Sequence, residues 1–366
     1  MSHGPSRHQT TTIQALMSLL KGYIGTGILA MPKAFSDSGY VFGVAGTVVI
    51  GLLCNCCIHM LVEINELFCS KPDEPPFDYE ELAQVSFENG PKGVRKYANL
   101  SKTILVICLF LTQLGFCCAY ALFVAKNLLQ FAINIEIGNW NEGDIKMFLV
   151  ILLPVMIALN FIKSIRHLAM GSTFANVIQL TSLVIIAYNL VTDVPSITER
   201  KPIGNKLPQF VSTTVFTYEG ITVTMPLYRS MKKRDNFGKR FGVINLAIIF
   251  VIILYCTVGF LGYLKYGEDV AASISLSLPN GPLYDAVRLM YALAITLSYP
   301  LQMYVAIHLM WPPIRNLLCE SQRSELFVGI SEYVFRAILV SITFALAAFI
   351  PELDLVIELI GAFSCR

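Results

Sequence analysis

The chain has 366 residues, 55% hydrophobic and 14% charged, with a mean hydropathy of +0.62. A soluble domain carries about 25% charged residues, so a water-soluble globule is excluded and a polytopic membrane protein is indicated. The net charge of +2, with no basic run beside an aromatic platform, excludes a nucleic-acid binder.

In chain order, Met1 to Thr12 are polar. They lack the apolar stretch and small-residue cleavage site of a signal peptide, so the first span is expected to be the insertion signal and to be retained. About 20 apolar residues cross the hydrocarbon. Nine full spans are expected at 13–35, 41–67, 102–131, 147–162, 171–192, 209–228, 241–264, 285–310 and 332–350. The fourth is short and contains Pro154. A tenth segment, Leu353 to Phe363, is eleven residues long, too few to cross, so the chain reads as C-terminally truncated within a span. The expected organisation is a cytosolic tail at 1–12, one transmembrane domain at 13–363 (nine full spans plus a partial tenth) and a short tail at 364–366.

Lys and Arg set the orientation. The loops after spans two and six carry Lys71, Lys92, Arg95, Lys96 and Arg229, Lys232, Lys233, Arg234, Lys239, Arg240; the intervening loops on the other side carry fewer. The bias predicts a cytosolic N-terminus. It also leaves the only glycosylation sequon, Asn99-Leu100-Ser101, cytosolic and unused. The ten cysteines fall mostly inside spans, where they read as small apolar helix residues. No metal-ligand spacing, nucleophile elbow or phosphate-cradling glycine loop is present, so no enzyme and no cofactor are expected.

Span one holds Gly25-Thr26-Gly27-Ile28-Leu29-Ala30-Met31-Pro32. Glycine weakens a helix by about 1 kcal/mol against alanine, and proline removes a backbone donor. In hydrocarbon such an interruption survives only where it faces protein or a water-filled cavity. This predicts a broken helix whose freed N–H and C=O groups hold a small polar solute. Close helix packing by small residues is the alternative, although packing glycines are usually spaced three apart.

Span six repeats the device: Val215-Phe216-Thr217-Tyr218-Glu219-Gly220 runs on to Met225-Pro226. Glu219 places a carboxylate near mid-bilayer, at about 2.5–3.5 kcal/mol on insertion scales; it is a functional candidate or a paired structural acid. Interrupted segments at matching places in two halves point to an inverted-repeat transporter. Helix N-terminal amides suit a carboxylate and freed carbonyls an ammonium group, so a zwitterionic amino acid matches both. Phe216 and Tyr218 would shape the side-chain pocket. Tyr120 in span three could donate to the substrate carboxylate or bond a neighbouring helix. Thr296 and Ser298 in span eight could offer oxygens to sodium or bond their own backbone. Lys21, Lys126, His59 and His308 read as snorkelling or packing residues, and Asp285 with Arg288 as an ordinary i,i+3 pair at the membrane surface.

The segment Leu19-Leu-Lys-Gly-Tyr-Ile-Gly-Thr-Gly-Ile-Leu-Ala-Met-Pro32 closely resembles the first-span signature of proton-assisted amino acid transporters in the amino acid/auxin permease family. Gln113 to Tyr120, Phe216 to Pro226 and Tyr299 to Tyr304 are similar to that family's third, sixth and eighth spans. The resemblance runs from about Thr12 to the chain end. It implies a LeuT-type inverted-repeat helical bundle, uptake of small neutral amino acids often driven by protons, and a plasma or endolysosomal membrane. Substrate contacts would come from Gly25, Thr26, Gly27, Tyr120, Phe216, Tyr218, Glu219 and Gly220, and ion coupling from Glu219, Thr296 and Ser298, with a proton or sodium as the coupled ion. Many members have histidine where this chain has Ser18, and serine cannot serve as that proton acceptor. A second reading is a truncated, non-transporting isoform acting as an amino acid sensor or as partner of a full-length relative.

Overall fold

The computed structural model describes residues 11–69, 76–192, 194–219, 221–231, 236–239, 242–320 and 325–364. Every regular element among them is helical. In chain order these are α1 (Thr12–Tyr23), α2 (Gly27–Ser38), α3 (Tyr40–Phe68), α4 (Tyr79–Glu88), α5 (Ala98–Asn134), α6 (Ile145–Asn160), α7 (Ile165–Val191), α8 (Leu207–Thr217), α9 (Ile221–Ser230), α10 (Val243–Tyr266), α11 (Ile274–Ser277), α12 (Pro282–Glu320), α13 (Glu325–Phe349) and α14 (Leu353–Ser364). Six of the described helices are long and apolar enough to cross a membrane, and the protein is an integral, multi-pass membrane protein. Of the remaining apolar segments, two are interrupted, as α1/α2 and α8/α9. A third, α6, has 16 residues and reaches only about 24 Å at 1.5 Å per residue.

Local chemistry sets several of these limits. Thr11 and Gln14 form a reciprocal capping box that starts α1, satisfying two otherwise orphaned donors. Asp78 and Glu81 do the same for α4, which lies in the segment that the sequence assigns to the loop after span two. Gly39, at φ +78, ends α2 in the left-handed region that glycine enters without strain.

The chain separates into two compact units. One comprises Met1–Ile107 with Arg200–Phe260, the other Cys108–Glu199 with Leu261–Arg366. Spans one, two, six and seven make the first unit; spans three, four, five, eight and nine and α14 make most of the second.

In the first unit α2 packs along α8, and α1 along α9. The segment before α8 is strapped to the α2–α3 corner by backbone bonds. The Gly204 N–H donates to the Ser38 carbonyl at 2.7 Å, Lys206 to Asp37 at 3.1 Å, and Val41 to Pro202 at 3.0 Å. At the other end of the interrupted span, Arg229 of α9 forms an ion pair with Asp78. The Asn65 side chain holds the Phe77 backbone beside it, donating to the carbonyl at 2.9 Å and accepting from the N–H at 3.2 Å. Both far ends of the α8/α9 pair are therefore anchored, and the interruption lies between the anchors.

In the second unit α12 packs along α7, and α13 along α6. Its interior is joined by side-chain polar pairs. Gln302 donates to Gln113 at 2.9 Å. The Tyr299 and Thr343 hydroxyls meet at 2.7 Å. Arg336 donates to Glu332 and, at 3.0 Å, to the Asn160 carbonyl. Asp285 and Arg288 depart from the expected surface pair: Arg288 is 1% exposed. It lies 2.6 Å from Asp285 Oδ1 and also donates to the Leu278 carbonyl, while Asn134 donates to the same Asp285 oxygen at 2.7 Å. The loop preceding α12 folds over the guanidinium, which the i,i+3 spacing alone does not reveal.

Candidate functional site

The interruption in span one is sharp. α1 ends at Tyr23, Ile24 still donates to Leu20 at 2.8 Å, and Gly25 turns back to donate to the Tyr23 carbonyl at 2.8 Å. Thr26 then caps α2 with no side-chain hydrogen bond, and no acidic residue lies in the first turn of α2. The positive end of that helix dipole has no acid of its own helix beside it. Gly27 is required by close approach: a Cβ there would fall 3.0 Å from Thr217 Cα and 3.1 Å from its Cβ. The start of α2 thus sits directly on the end of α8.

The interruption in span six mirrors it. α8 ends at Thr217, whose hydroxyl donates to the Thr214 carbonyl at 2.7 Å and lies 3.6 Å from Met31 Sδ. Tyr218 donates to the Thr47 carbonyl of α3 at 3.2 Å. The Glu219 N–H reaches the Phe216 carbonyl at 3.4 Å, and Glu219 is half-buried. Phe216 and Tyr218 are buried.

Of the residues singled out from the sequence, the first unit brings together Gly25, Thr26, Gly27, Phe216, Tyr218 and Glu219. Gly220 lies outside the described residues. Tyr120, half-buried on α5, and Thr296 and Ser298 on α12 belong to the second unit. The Thr296 and Ser298 hydroxyls donate to Ala292 and Ala294 of their own helix at 2.7 and 2.9 Å. Ser18 lies half-buried on α1, and among the described residues no group of His, Cys, Asp or Glu is arranged for a metal ion.

Sequence reasoning missed Tyr255. This α10 residue is fully buried, and its hydroxyl lies 2.6 Å from the Tyr23 carbonyl and 2.9 Å from the Thr217 carbonyl. Its ring packs on Tyr218 with centroids 5.1 Å apart. Nothing in the apolar run Ile248-Ile249-Phe250-Val251-Ile252-Ile253-Leu254 marks the tyrosine that follows. A second feature was legible and passed over. Tyr23-Ile24-Gly25 with Met31-Pro32 six positions after the glycine has a counterpart in Tyr218-Glu219-Gly220 with Met225-Pro226 five positions after it. The acid in span six stands where span one has Ile24.

Comparison with known proteins places this arrangement among relatives. The family described as transmembrane amino acid transporter protein matches residues 8–366. The chain is 33% identical over 359 residues to the proton-coupled amino acid transporter-like protein pathetic of Drosophila melanogaster, which spans 97% of this chain and 74% of that protein. It is 31% identical over 308 residues to vacuolar amino acid transporter 4 of Saccharomyces cerevisiae, spanning 81% of this chain and 40% of that one.

Proposed function

Because the chain belongs to the transmembrane amino acid transporter family, we propose that it moves small neutral amino acids across a membrane as a secondary transporter, not an enzyme. The substrate is held between the interruptions of spans one and six. One observation carries this reading: two interrupted helices in one compact unit, with the start of α2 seated on the end of α8 at Gly27 and Thr217. The uncapped N-terminus of α2 receives the substrate carboxylate. The carbonyls at the ends of α1 and α8 receive its ammonium group. Phe216, Tyr23 and Tyr218 are aromatic and buried, which favours a small, uncharged substrate side chain.

The coupled ion is a proton, carried by Glu219. A carboxylate inside a membrane span is costly enough to be retained for function, and Ser18 cannot titrate. Sodium held by Thr296 and Ser298 is the weaker alternative, since a hydroxyl bonded to its own helix is the ordinary state of serine and threonine in a membrane helix and does not by itself point to a cation. The two interrupted segments share the Tyr-x-Gly and Met-Pro pattern, which supports an inverted five-plus-five repeat. The Lys/Arg bias supports a cytosolic N-terminus, and the vacuolar relative favours an endolysosomal membrane.

The test is radiolabelled uptake by the purified chain in vesicles, with competition by neutral, acidic and basic amino acids, at two pH values and with or without sodium. Saturable uptake of a neutral amino acid that is stimulated by an acidic donor side is expected, with Glu219→Gln removing the pH dependence. Uptake indifferent to Glu219→Gln and to substitution of Gly27 would sink the reading.

A further inference from the structure

The two interrupted helices share one hydrogen-bond donor. Helix C-termini leave carbonyls without an intrahelical partner, and inside a membrane these groups are expensive to leave unmet. The Tyr23 carbonyl accepts from the Gly25 N–H at 2.8 Å, and the ends of α1 and α8 are bridged by one further atom, the Tyr255 hydroxyl, at 2.6 Å from the Tyr23 carbonyl and 2.9 Å from the Thr217 carbonyl. A phenol has one hydrogen to donate. At any instant it bonds one helix end and faces the other as a bare oxygen, and rotation of the hydroxyl moves the bond from one end to the other. The ring cannot follow either end far. It is fully buried, and it packs at a tilt of 55° on Tyr218, which is itself tied to the Thr47 carbonyl of α3.

We infer that Tyr255 is a positioning residue that holds the interrupted ends of spans one and six in one register. It touches no substrate. It fixes the distance between two carbonyls that must act together when a substrate ammonium group approaches the break. The consequence for transport rests on the function proposed above; the register itself does not. Because both ends hang on one hydroxyl, the two breaks open together and not one at a time.

The test is Tyr255→Phe, which keeps the ring and deletes the oxygen. Amide hydrogen exchange reads the register without any substrate. Exchange in segments 22–28 and 216–219 is expected to accelerate about tenfold in both, with segments in α6 and α13 unchanged. Unchanged exchange, or acceleration in one segment alone, overturns the inference. In vesicles the same variant is expected to raise KM for the transported amino acid about tenfold with Vmax within twofold, the pattern of lost binding geometry; a fall in Vmax at unchanged KM overturns it. If the wild-type chain transports no amino acid, the proposed function fails while exchange still decides the role of Tyr255. Should Tyr255→Phe not fold, the wild-type chain decides: under rising denaturant the two segments must lose protection with one shared opening free energy, and separate values overturn the inference.

Discussion

The two units solve the same problem in opposite ways. Both must bury polar groups in an apolar surrounding. The second unit does so with side chains on continuous helices: Gln113 with Gln302, Tyr299 with Thr343, Arg288 with Asp285. Its polar side chains meet one another across long helices. The first unit interrupts two helices and exposes backbone instead, then anchors the outer ends through the 201–206 strap and the Arg229–Asp78 pair. Closed side-chain pairs make a scaffold. Open backbone between anchors makes a place that a solute can complete.

If this contrast holds, damage to the second unit should appear as lost stability, and damage to the first as lost transport. The largest effect is expected at Arg288. Arg288→Ala leaves Asp285 buried with the Asn134 amide as its one remaining side-chain partner among the described residues, and breaking a buried pair from one side costs about 3–5 kcal/mol. Denaturant unfolding of the purified chain measures it. Replacing both partners, Asp285→Leu with Arg288→Met, should recover most of the loss. A single-variant cost under about 1 kcal/mol would break the contrast.

Next is Gly27→Val. The new Cβ alone would come within 3.0 Å of Thr217 Cα, and the two γ-carbons need further room. Overpacking costs about 1–3 kcal/mol. The expected readout is uptake reduced to background while α7 and α12 keep wild-type exchange protection. Uptake within twofold of wild type would show that the close approach of α2 to α8 is not part of the site. Smaller still is Tyr299→Phe. Thr343 keeps its bond to the Val340 carbonyl at 2.8 Å, so no donor is stranded. The cost should be near 1 kcal/mol, with KM unchanged.

The contrast itself was only half legible in the sequence. The interruptions announce themselves, because Gly25, Gly27 and Pro32 in one apolar run, and Glu219, Gly220 and Pro226 in another, break rules of helix chemistry locally. Helical spans follow from apolar length for the same reason. The shared donor and the buried ion pair do not follow. Tyr255 differs from a packing tyrosine only by which carbonyls it meets, and Arg288 from a surface arginine only by the loop folded over it. Both are tertiary facts, set by residues some 230 and ten positions distant. The α4 helix was missed because the sequence from Lys71 to Lys96 is polar and short. Its capping box at Asp78 and Glu81 was nonetheless readable.

That helix supplies the smallest effect and a check on where the first unit ends. Glu80 sits in the first turn of α4. Burial raises its carboxyl above the usual value, opposed by its own backbone N–H, reinforced by Asp78 and Glu81, and opposed again by Lys102. The folded chain therefore binds this proton more tightly than the unfolded chain does. By linkage, stability is greatest below the ordinary carboxylate range and declines as pH rises through that range to the raised folded value, above which the loss is constant. Glu80→Gln removes the titration. The variant should melt slightly above wild type at neutral pH, and the gap should close as the solution is acidified past the carboxylate range. A gap of constant size would mean that the burial of Glu80 carries no pH dependence. Uptake should barely respond, because α4 meets the interrupted span through Arg229 and Asp78, at the anchored end and not at the break. A large change in KM on Glu80→Gln would extend the site to the anchor and blur the division between anchored ends and open middle.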